Sequence, residues 1–188
     1  MARVKAIHRS DDYPGMPDEM TRQELVALFQ HLFPGNPHPE IDQSHAGLAV
    51  AAHNPKLALN LAKLSALIAG ELPWSQRRDL RELAIQAVNV HFGSDYSFQA
   101  RMGAAQAAGI SADQLAAIAH WRTSPLFNEE QGLVLEYAHA VASGQVPGAL
   151  FGRVVERYGE KGAVELTSLI AFWSFWALFL NATRPDED

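Results

Sequence analysis

The chain contains no cysteine. That absence excludes disulfides, zinc–thiolate centres and every thiol-based redox step, and it suits a reducing compartment. Positive charge is also scarce: 15 Lys and Arg stand against 21 Asp and Glu, a formal net charge of −6. The basic residues are dispersed, with Arg77, Arg78 and Arg81 the densest group. No basic patch therefore offers itself to nucleic acid or to an anionic membrane surface. There is no glycine-rich phosphate loop, nucleophile elbow or dinucleotide fingerprint. His45, His53, His120 and His139 lack the i, i+4 partners of a metal site, so neither a metal nor a cofactor is expected. The opening MARVKAIHRSDDYPG has no apolar core of signal-peptide length, and the expected location is the cytoplasm.

One long uncharged run does occur, LTSLIAFWSFWALFLNAT from Leu166 to Thr183. Its 18 residues approach the length of a membrane span. Thr167, Ser168, Ser174 and Asn181 interrupt it, however, and no basic cluster anchors either end. A helix apolar nearly all round is more simply a core helix or one buried between subunits, so no membrane partner is expected.

The rest of the chain reads as helices. Residues 1–20 are polar and proline-containing, as in an N-terminal arm. Thr21-Arg22-Gln23-Glu24 forms a capping box ahead of Leu25, Leu28, Phe29 and Leu32 at helical spacing. Pro55 suits the first turn of a helix ending at Gly70. Ser75 opens another, with Leu80, Leu83, Ala84, Ala87, Val88 and His91 on one face, and Gly93 stops it. A helix from Ser94 to Ala108 ends at Gly109. Capping boxes at Ser111–Gln114 and Asn128–Gln131 open two more. Pro147 begins a further helix, and Glu160 starts the long final one. No alternating strand pattern is present, so the class is all-α with seven to nine helices, 21–188 forming a single domain.

The turn at Gly93 carries a recognisable pattern. Glu82 is followed by eleven residues, then Ser94-Asp95-Tyr96-Ser97, then Arg101. This helix–turn–helix resembles the alkylhydroperoxidase D-like and carboxymuconolactone decarboxylase family. Its redox members carry Glu, eleven residues, Cys-x-x-Cys and a histidine four residues later. The blocks AAHNPKLALNLAKL, AAGISADQL, YAHAVASG and VELTSLIAFWSFWALFLNA resemble family blocks too, extending the likeness over about residues 45–182. It implies an all-α bundle built round a helical hairpin, assembled as a trimer or hexamer through apolar helices. Phe172, Trp173, Phe175, Trp176 and Phe179 would find partners there.

The departures decide the chemistry. Thiol peroxidation needs a thiolate to attack the peroxide and a second thiol to close the disulfide. Serine at both places removes it. What the resemblance leaves is a cofactor-free lyase, decarboxylase or isomerase for a small carboxylated or lactone-type substrate, or else a non-catalytic ligand-binding or scaffold oligomer. Arginine in place of histidine at 101 tells against carboxymuconolactone turnover itself, being a poor acid–base group.

The candidate site residues each carry two readings. Glu82 would be general acid or base, or else an ion-pair partner of Arg78 or Arg101. Arg101 shares a helix face with Ser94 and Ser97, and would hold a substrate carboxylate by two parallel hydrogen bonds, or else only bind Glu82 or Asp95. Ser94 suits an N-cap, and Asp95 suits the positive end of the helix dipole. Alternatively Ser94, Ser97 and Tyr96 would steady a developing oxyanion, with Asp95 and His91 on the substrate. His91 alone on an apolar face more simply packs, as does Tyr96.

Overall fold

The computed structural model describes residues 3–42 and 45–184. Eight α-helices and no strand occur among them: α1 (Glu19–Leu32), α2 (Ala46–Ala51), α3 (Pro55–Ala66), α4 (Arg78–His91), α5 (Asp95–Ala107), α6 (Ala112–Ala117), α7 (Glu129–Ala142) and α8 (Gly148–Thr183). Contacts divide the chain into two compact units, residues 1–66 with 179–188, and residues 67–178.

In the first unit, α1 packs on α3. Leu25, Leu28, Phe29, Ile41, Ala49 and Ala58 are buried there. Within residues 3–20 the chain is tied to the rest of the unit by backbone hydrogen bonds. Ile7 is buried and its N–H donates to the Ala49 carbonyl at 2.9 Å, while Ile41 N–H donates to the His8 carbonyl. The first helix starts two residues before Thr21, because Asp18, with extended backbone, accepts from Thr21 N–H at 2.8 Å and takes the cap.

In the second unit, α4 is the central element. Leu80 and every residue from Glu82 to Asn89 are buried, with α7 and α5 packed against it. The helix expected to end at Gly70 closes at Ala66 and continues as a wider turn, Leu67–Glu71. Ser75 starts no α-helix. Its hydroxyl donates to the Ile68 carbonyl at 2.6 Å, and α4 begins at Arg78 after a short 3₁₀ turn. The boxes at Ser111 and Asn128 form as expected, each side chain accepting from the N–H of the glutamine three residues on.

The final helix is interrupted at Gly159, whose φ of +70° an L side chain resists. The segment that follows starts at Glu160, as the sequence indicated. α8 is long and apolar enough to cross a membrane by composition alone, yet 56% of its most apolar stretch is buried inside the molecule. That is the arrangement of a core helix. Leu166, Leu169, Ile170, Trp173 and Ala177 sit in the core of the second unit.

Candidate active site

The site is built on the α4–α5 hairpin, and the turn explains its geometry. Gly93, at φ +58°, lets α4 close on itself: Ser94 N–H donates to the Asn89 carbonyl at 2.8 Å and Gly93 N–H to Val90 at 3.2 Å. Ser94 also starts α5, its carbonyl accepting from Phe98 N–H at 2.9 Å. Serving both helices fixes its ψ at 75°. Asp18, Ser111 and Asn128, whose side chains do cap, have ψ of 172°, 158° and 173°. The Ser94 side chain therefore makes no cap bond. Its hydroxyl is buried without a hydrogen-bond partner: Ser94 holds the expected N-cap position but not the side-chain bond that usually goes with it.

Three rungs then join the antiparallel helices. At the far rung, Glu82 is wholly buried. Arg101 donates to it from Nε at 3.2 Å and from Nη2 at 2.6 and 2.7 Å. Arg81 adds a bond from Nε at 3.1 Å. The Arg101 guanidinium also lies 5.7 Å from the Trp173 ring, a cation–π contact. In the middle rung, Gln86 Nε2 donates to the Phe98 carbonyl at 3.1 Å. Asn89 Nδ2 in turn donates to Gln86 Oε1 at 2.9 Å. The near rung is Ser94 on Asn89.

Two consequences follow for chemistry. One carboxylate is shared by two guanidinium groups, so the cluster carries a surplus positive charge. The arginine edge expected to clasp a substrate carboxylate is already taken by Glu82; what remains of Arg101 is Nη1, which makes no hydrogen bond among the described residues. Its side chain is a quarter exposed. Arg81, by contrast, is tied into the fold through the Ala69 carbonyl at 2.6 Å.

The other expected residues fall as follows. Ser97 is buried and Tyr96 half-buried on α5, while Asp95 at its first position is exposed. His91 leaves the rungs for α7, its Nδ1 lying 3.3 Å from His139 Nδ1. Burial above all, then His91 and Arg122, holds His139 below the usual histidine range. Sequence reasoning missed Arg81, Gln86, Asn89, His139 and Trp173. The polar series Glu82, Gln86, Asn89 at i, i+4 and i+7 within an apolar helix was the available signal for two of them.

A separate groove of about 660 Å³ lies at the start of α7 beside α8, lined by Asn128, Glu130, Leu133, Arg153 and Arg157 among others. Its arginines are already paired, Arg157 with Glu130 and Arg153 with Glu136.

An all-helical hairpin bundle of this kind is the alkylhydroperoxidase D-like fold, and a solved structure shares it. The debrominase Bmp8 in complex with 2,3,4-tribromopyrrole superimposes with a TM-score of 0.69, covering 98% of this chain and 92% of that one at 17% identity. The uncharacterized protein YnjA of Escherichia coli (strain K12) is 42% identical over 74 residues, 38% of this chain. The match spans about two fifths, 41%, of that relative's length. No protein-family model matches.

Proposed function

We propose that the protein is a cofactor-free, non-thiol enzyme of the carboxymuconolactone decarboxylase-like group, acting in the cytoplasm on a small carboxylated or lactone-type, aromatic-derived molecule. The observation that carries this reading is the buried Glu82 carboxylate gripping Arg101 beside Trp173. A surplus cation next to an indole face suits a planar anion. That a debrominase of the same fold is named in complex with a small aromatic ring supports the size class. In this reading Glu82 is chiefly a positioning residue: to take a proton it would have to release a guanidinium. Arg101 Nη1 holds the anionic group, and Ser94, Ser97 and Tyr96 steady charge that develops on the substrate. The test is turnover of a lactone and keto-acid panel by the wild type and by Arg101→Gln. A fall of about tenfold or more supports the assignment, at the level of one lost charge-assisted bond; equal rates remove Arg101 from the site.

A second reading, a non-catalytic ligand binder, is favoured by the commitment of Glu82 to two arginines. It predicts ligand-dependent stabilisation with no turnover. Under either reading we propose a homo-oligomer, a trimer or hexamer. Val164, Ala171, Phe175 and Leu178 are exposed on α8; steps of seven, four and three residues keep them on one face, as in a helix–helix seam. Light scattering on Leu178→Glu tests it, dissociation being expected and an unchanged mass telling against it.

A further inference from the structure

The hydrogen bonds of the middle rung fix the direction of every amide in it. The Phe98 carbonyl can only accept, so the Gln86 group facing it is the NH₂ and its Oε1 faces Asn89. That oxygen can only accept as well, so Asn89 presents Nδ2 to it and turns Oδ1 away. Asn89 Oδ1 is thus a committed acceptor, buried, and without a hydrogen-bond partner. The hydroxyl of Ser94 is the other buried, unpartnered polar atom of this hairpin. Both residues are 1% exposed. Buried polar groups in folded proteins nearly always find a partner, and two such atoms at adjoining positions of one rung call for a guest that donates a hydrogen bond.

We infer that the buried Asn89 Oδ1 and Ser94 hydroxyl form a subsite that takes a hydroxyl or N–H group of the same ligand whose anionic end is held at Arg101. Asn89 is then a specificity-determining residue: its oxygen accepts from the ligand, while Ser94 accepts or donates beside it. Asn89 lies two helical turns from Glu82, about 10 Å along α4. That separation is roughly a para-hydroxylated aromatic acid with a hydrogen bond at each end. The preferred ligand therefore carries a carboxylate at one end of a planar ring and a donor at the other. The inference rests on Arg101 as the anion anchor.

Calorimetric titration with benzoate, 4-hydroxybenzoate and 4-methoxybenzoate separates the two claims. The expected result is binding of all three, with 4-hydroxybenzoate favoured over 4-methoxybenzoate by on the order of tenfold, about one net hydrogen bond. Asn89→Leu abolishes that preference. Ser94→Ala, which removes only a hydroxyl, reduces the preference and guards against a folding defect in the larger substitution. Benzoate bound with no preference between the two para substituents, or a preference that survives both variants, overturns the subsite and leaves a structural water as its only occupant. Failure of all three ligands to bind overturns the anion anchor itself, and the subsite with it.

Discussion

Replacing Glu82 by Gln keeps the shape of the side chain and removes its charge. Because Glu82 is wholly buried and receives bonds from both Arg101 and Arg81, the substitution leaves two partly buried guanidinium groups facing one another without a counter-charge. Breaking a buried ion pair from one side costs roughly 3–5 kcal/mol. Arg101 and Arg81 side chains are 25% and 18% exposed, so solvent screening places the expected cost nearer ~3 kcal/mol. For a chain of this size that lowers Tm by roughly 6–12 °C. Arg101→Gln should cost less, about 1–2 kcal/mol, since Glu82 keeps Arg81 as its partner. The double variant should be more stable than the sum of the two losses implies, with a coupling of at least about 1 kcal/mol. Chemical denaturation of the four proteins reads all three quantities. A Glu82→Gln variant within about 0.5 kcal/mol of wild type, or less damaging than Arg101→Gln, would refute the shared-carboxylate reasoning.

Other expected outcomes are independent of ligand. His139 lies below its ordinary 6.5 in the folded protein, so the unfolded chain binds the proton first. Stability should fall as pH drops through about 6.5 toward the folded value, and His139→Gln should flatten that part of a Tm–pH curve. Glu130, between Arg77 and Arg157, is lowered from 4.5 to about 2. Its contribution is present above 4.5 and lost as pH falls toward 2, so Glu130→Gln should remove an acid limb visible in the same scan. A Cβ at Gly162 would stand 2.7 Å from the Tyr158 Cβ; Gly162→Ala should cost about 1–3 kcal/mol in denaturant melts. Coupled hydroperoxide-reduction assays with dithiol reductants should give no turnover, for want of any thiol.

Much of the fold was legible where local chemistry decides it. The boxes at Ser111 and Asn128 formed because those residues have extended backbone and a glutamine three positions on. Glu82 and Arg101 met because their spacing across a Gly93 turn places them on facing helices. Ser94 misled for a local reason of another kind. A preferred capping residue was held at a ψ that prevents capping, because the same residue also ends α4. Arg81 was hidden because neighbours in a helix do not ordinarily face each other, although its long side chain folds back to Glu82. Trp173 comes from α8, far along the chain, and no local pattern points from it to Arg101. Gln86 and Asn89 were passed over because the face of α4 was traced through its apolar residues alone.

Glu82 is proposed to hold Arg101 as the anion-binding group of a site that works without sulfur. The most direct measurement is the dissociation constant of benzoate for wild type, Arg101→Gln and Glu82→Gln by titration calorimetry. Binding to the wild type is expected, weakened by about tenfold or more in Arg101→Gln and also weakened in Glu82→Gln, where the guanidinium loses its orientation. Equal affinity in all three proteins would contradict it.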